Sequence, residues 1–130
     1  MLFRSASIAQ VAAETALNGD QACMIPMVRA FRERHDYVLE RLNRLRGVRC
    51  LPSQGTFYAF GQFKDAIANF EGISNDVEMA ELVLNEAGVA LVPGSAFGAE
   101  GYMRLSFATS REKLDQALDR LEKFLGRAET

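Results

Sequence analysis

From Pro26 to Gly47 one apolar stripe runs without a break. Val28, Phe31, His35, Val38, Leu42 and Leu45 recur at steps of three and four residues. That spacing predicts an amphipathic helix of about twenty residues, roughly 30 Å long. Pro26 suits its first turn and Gly47 its end. A helix of that length is long for a chain of 130 residues. It is therefore expected to lie across a domain boundary, with residues 26–47 as the boundary helix. Ahead of it, Ser7–Asn18 reads as a helix rich in alanine, capped by Ser5 or Ser7 and followed by Gly19 in the left-handed position. Residues 1–25 form the N-terminal portion.

Downstream the period alternates between helix and strand. Val48–Leu51 and Thr56–Phe60 read as short extended pieces around the turn Pro52-Ser-Gln-Gly55, followed by a polar connection. Asn75-Asp-Val-Glu78 resembles a capping box for a helix carrying Ala80, Leu82, Val83, Leu84 and Ala87, stopped by Gly88. Val89–Val92 reads as a buried strand cut by Pro93-Gly94, and Tyr102–Ala108 alternates as a strand. A last helix opens at Thr109-Ser-Arg-Glu112, with Thr109 and Glu112 as its box, and carries Leu114, Leu118, Leu121 and Leu125. These patterns predict one α+β domain over residues 1–130. A small, mostly antiparallel sheet of three to four strands is covered by helices on one face.

Composition excludes several functions. Net charge is −2 with both signs interspersed, so no basic stripe points to nucleic acid. No apolar stretch is long enough for a bilayer, and the opening residues lack the apolar core of a signal peptide. A cytoplasmic protein is the default. Cys23 and Cys50 have no CxxC spacing and read as buried free thiols. The single histidine and two cysteines give no cluster of metal ligands.

Among candidate functional residues Arg104 stands first. On Tyr102–Ala108, Met103, Leu105 and Phe107 share one face, toward the helices. Tyr102, Arg104, Ser106 and Ala108 share the other. A guanidinium on a short strand is suited to hold a carboxylate through two parallel hydrogen bonds, though a structural ion pair fits the strand as well. Val92-Pro-Gly-Ser-Ala-Phe-Gly98 reads as a rigid loop at a strand end, neither a P-loop nor a nucleophile elbow. His35 is expected to be packed and hydrogen-bonded, with Asp36 on another face of the helix. Phe57, Tyr58 and Phe60 read as core or pocket wall. Lys64, Lys113 and Lys123 lie in polar surroundings, and none is placed to act as a Schiff-base amine.

Five segments together resemble the class I and II aminotransferases of the aspartate aminotransferase type: Ser7–Ala13, Phe31–Asp36, Pro52–Tyr58, Gly88–Gly98 and Met103–Ala108. They stand in that family's order and spacing along nearly the whole chain. The resemblance implies the small C-terminal domain of a pyridoxal-phosphate enzyme that moves an amino group between an amino acid and a 2-oxo acid. It implies that Arg104 holds the substrate α-carboxylate, and that the Gly55 region and Pro93–Gly98 shape the substrate side. The family's Schiff-base lysine, cofactor-ring aspartate and phosphate cradle have no counterpart here, so no catalytic or cofactor-binding residue is assigned to this chain. The segment is expected to be an excised or truncated domain, inactive alone, with no pyridoxal phosphate of its own. A missing large domain and a second copy in a homodimer are its expected partners. His35 stands where relatives commonly carry arginine. A related pyridoxal-phosphate lyase or decarboxylase, a standalone carboxylate-binding module and a dimerisation module are the alternatives.

Overall fold

The computed structural model describes residues 6–127. The chain divides into two compact units, Met1–Ala30 and Phe31–Thr130. The first contains α1 (Ser7–Asn18) and the opening of α2 (Met24–Arg44). Helix α1 has Ala6 at its N-cap and no side-chain cap. Ser7 is instead the first helical residue, and Ser5 lies outside the described residues. Gly19 is extended at φ −81°, not left-handed, because Gln21 folds back to donate to the Ala16 and Gly19 carbonyls.

The second unit is an α+β layer pair. Strands β1 (Arg49–Cys50), β2 (Tyr58–Gln62), β3 (Val92–Pro93) and β4 (Tyr102–Ser106) form one sheet in the order β1-β2-β4-β3, antiparallel throughout. The helices α3 (Lys64–Ala68), α4 (Asp76–Ala87) and α5 (Arg111–Leu125) accompany the later half of α2. Met103, Leu105 and Phe107 are buried, while Tyr102 and Arg104 are partly exposed and Ser106 is exposed, as period-two alternation requires. The core joins Val38, Leu42 and Leu45 of the α2 stripe to Met79 and Val83 of α4 and to Leu114, Leu118, Leu121 and Leu125 of α5. Phe70 and Phe124 stack at 4.9 Å beside it.

Several boundaries differ from expectation. The polar connection after Phe60 holds α3, where Ala66 and Ile67 bury themselves beneath the end of α2. Gly47, at φ +72°, accepts from Ala66 N at 3.1 Å through its carbonyl. A Cβ there would meet the Ala66 backbone at 2.5 Å, so only glycine fits. Of Val89–Val92 only Val92 pairs, with Arg104, and the two-residue β3 continues into Pro93 opposite Met103. Asn75 caps α4 by accepting from Val77 N and Glu78 N, while Glu78 accepts chiefly from the Ser74 backbone and hydroxyl and more weakly from Asn75. The cap of α5 is Ser110, not Thr109. Cys50 is buried, and burial pushes its thiol pKa up, whereas Cys23 is exposed. No described helix is long and apolar enough to cross a membrane.

Candidate functional site

The helix-free face of the sheet is built by β2, β4 and the turn after β3. Tyr58 and Phe60 point to this face from β2, Tyr102 and Arg104 from β4, and Phe60 is the cross-strand partner of Arg104. Aromatic rings crowd it. Phe60 stacks on Tyr102 with centroids 5.3 Å apart and meets Phe97 edge-on at 6.2 Å. The Arg104 guanidinium carbon lies 5.2 Å from the centroid of Tyr58 and 4.9 Å from that of Phe97. Such contacts hold the cation electrostatically and leave its N–H groups uncommitted. Among the described residues no carboxylate pairs with Arg104. Among the described residues, then, this partly buried guanidinium with its five donors makes no structural ion pair.

The segment Pro93–Gly98 is a short, rigid turn at the strand end. Gly94–Phe97 form one 3₁₀ turn, ended by Gly98 in the left-handed conformation at φ 73°. Gly94 touches β4 so closely that a Cβ would lie 2.7 Å from Tyr102 Cβ. Ser95 N donates to Asp76 Oδ2 at 2.7 Å. Asp76 opens α4 and is 1% exposed. Burial pushes its carboxyl pKa up, but hydrogen bonds from Ser95, its own backbone and Gly101 outweigh this and hold it below the ordinary carboxylate value. The sequence singled out neither Asp76 nor the placement of Phe97 over Arg104. Asp76 was legible only as a first-turn acid, because its partner stands 19 residues away.

His35 is packed, as its place in the stripe predicts. Its ring meets Phe107 edge-on at 5.9 Å, and its Nε2 accepts from Ser53 N at 3.1 Å. Nδ1 lies 2.8 Å from Asp36 Oδ1, which corrects the expectation that Asp36 faces elsewhere. Adjacent helical residues diverge at Cβ, but the long imidazole and short carboxylate bend together around the helix edge. With Nε2 accepting, Nδ1 carries the proton and donates to Asp36. Gly55 lies in the exposed turn before β2, where a Cβ would meet nothing, so no close approach requires glycine there. Lys64, Lys113 and Lys123 are all exposed, one on α3 and two on α5. Among the described residues no three metal-ligating side chains come together.

The family model for aminotransferase class I and II matches residues 1–121. The chain belongs to this family. Similar to it is an aspartate/prephenate aminotransferase of Nitrosomonas europaea, 54% identical over 92% of the chain and 31% of the relative. The aspartate aminotransferase of Thermotoga maritima is 45% identical, over 92% of the chain and 28% of that protein. In structure the aminotransferase segment resembles the aspartate aminotransferase of Rhizobium meliloti. That match has a TM-score of 0.85 and 35% identity, covering 94% of the chain and 32% of the solved one. The segment thus spans about a third of the length of these relatives.

Proposed function

We propose that this segment is the small domain of an enzyme that transfers an amino group between an amino acid and a 2-oxo acid, and that Arg104 binds the α-carboxylate of both. The observation that carries this is the guanidinium held against the rings of Tyr58 and Phe97, with no carboxylate partner among the described residues. The two rings restrain the guanidinium, whose planar fork can meet a carboxylate with two N–H donors in parallel. The neighbouring aromatic side chains narrow the water layer around the pair, which strengthens it. Held by its carboxylate, the substrate is oriented before any bond changes.

Pyridoxal phosphate, when bound, supplies the electron sink for such a transfer. The residues of this chain do not fit as its cradle. All three lysines are exposed, and none stands on β2, β4 or the Gly94–Phe97 turn. The groups that hold the cofactor and move the proton are therefore assigned to the remainder of a longer enzyme. Residues 1–25 and the boundary helix of 26–47 are assigned the junction with it. Ile8, Val11, Leu17, Ile25 and Val28 are apolar and exposed there, which suits surface covered in the complete enzyme and its dimer.

The test is amino-group exchange in the full-length enzyme carrying this segment. Aspartate is offered as donor, because the similar proteins are named for it, and 2-oxoglutarate as acceptor. Transfer of ¹⁵N from one to the other is expected, with none catalysed by residues 1–130 alone. Elimination or decarboxylation without transfer would assign the segment to a related lyase instead.

A further inference from the structure

We propose that Asp76 is a positioning residue for Arg104, acting through the Gly94–Phe97 turn. Its kinetic consequence rests on the carboxylate reading of Arg104; its structural consequence does not.

The chain of contacts is short. Asp76 is the one buried charged side chain among the described residues, 1% exposed at the start of α4. A carboxylate is favoured there by the helix N-terminus. Its Oδ2 accepts from Ser95 N at 2.7 Å, which pins the middle of the turn. The turn is tied internally by Gly98 N to Ser95 O and by Ala99 N to Gly94 O, both at 3.0 Å. Gly94 is pressed against Tyr102, so the turn cannot slide along β4. Two residues after Ser95 comes Phe97, whose ring covers the Arg104 guanidinium at 4.9 Å.

Within this segment burial does not keep Phe97 in place, because it is 53% exposed. Its ring touches Phe60 only by an edge. The backbone that carries it must therefore be fixed, and Asp76 is the side chain that fixes it. An amide in the same place would be a poor substitute. The carboxylate receives hydrogen bonds from Ser95, from its own backbone and from Gly101. Asparagine would turn an N–H₂ toward one of these donors. Loss of the latch should let Phe97 swing away and leave Arg104 with Tyr58 on one side alone.

Two readouts test this. In the full chain, the Arg104 Nε–H resonance senses the currents of both rings. Asp76→Asn should move it in the same direction as Phe97→Leu, while the methyl resonances of Leu105 and Leu118 stay where they were. In the full-length enzyme, Asp76→Asn and Phe97→Leu should raise KM for the amino acid about tenfold, the order of a partly desolvated cation–π contact, with kcat changed less than about twofold. Should Asp76→Asn fail to fold, Ser95→Pro removes both the backbone N–H and the hydroxyl that reach Asp76 and must produce the same shift. An unmoved Arg104 resonance in the folded variant, or KM and kcat falling together, overturns the proposal. If Arg104→Lys leaves KM unchanged while the resonance still moves, the carboxylate reading fails and the latch stands.

Discussion

At the scale of single residues, two side chains carry different lessons. His35 is partly buried by packing and tied at both nitrogens, to Ser53 N and to Asp36. Replacing it with alanine leaves the Ser53 N–H without its acceptor beside a cavity under Phe107. We expect His35→Ala to cost about 1–3 kcal/mol in urea unfolding, with the Arg104 resonance unmoved. A loss below about 0.5 kcal/mol would mean that water replaces the ring freely. The direction in which Arg104 faces was legible in the sequence, because alternation on a strand assigns faces without knowledge of partners. Its aromatic sandwich was not. Tyr58 and Phe97 reach it from β2 and from a turn, and local periodicity cannot say which strands become neighbours. The same limit hid Asp76. A first-turn acid is an ordinary helix feature until the fold brings Ser95 against it.

Among elements, the long helix and the terminal helix were the most legible, since each carries a stripe that the core consumes. The shortest elements were not, because α3 and β3 are made by packing and pairing rather than by any repeat of their own. Facing polar residues join α2 to α5 beyond the core. Tyr37 donates to Asp115, and Arg41 donates to Tyr37 at 2.7 Å, to Asp119 at 2.6 Å and to Glu122 at 3.2 Å. Arg111 lies over the Tyr37 ring at 3.1 Å. The bond from Tyr37, then burial acting against it, then Arg111 leave the Asp115 carboxyl below its usual pKa. Hydrogen bonds from Ser74 do the same for Glu78. A carboxyl depressed in the folded state stabilises above its unfolded pKa, near 4, and that contribution is lost as pH falls through the lower folded value. Stability should therefore be flat from about pH 7 to 5 and decline below about pH 4. Thermal melts of Asp115→Asn should show a shallower decline over the acid range. An equal decline would place the acid sensitivity elsewhere.

For the whole molecule, the segment's surface is uneven. Ile8 is 83% exposed, Leu17 80% and Ile25 71%, all within the first unit. Apolar side chains exposed in this number favour association in water. Sedimentation of the 130-residue chain should show self-association that grows with concentration, and Ile8→Glu with Leu17→Glu should suppress it. A strictly monomeric wild-type chain would contradict the assignment of this face to a junction. The central claim is that Arg104 is the carboxylate anchor of an amino-group transfer. Steady-state kinetics of Arg104→Lys in the full-length enzyme test it most directly. Lysine keeps the charge but loses the planar fork. The account predicts that kcat/KM for the amino acid falls by about tenfold or more, the scale of one charge-assisted hydrogen bond. A change of less than about threefold, roughly 0.65 kcal/mol, would contradict it and leave Arg104 a structural residue of the sheet.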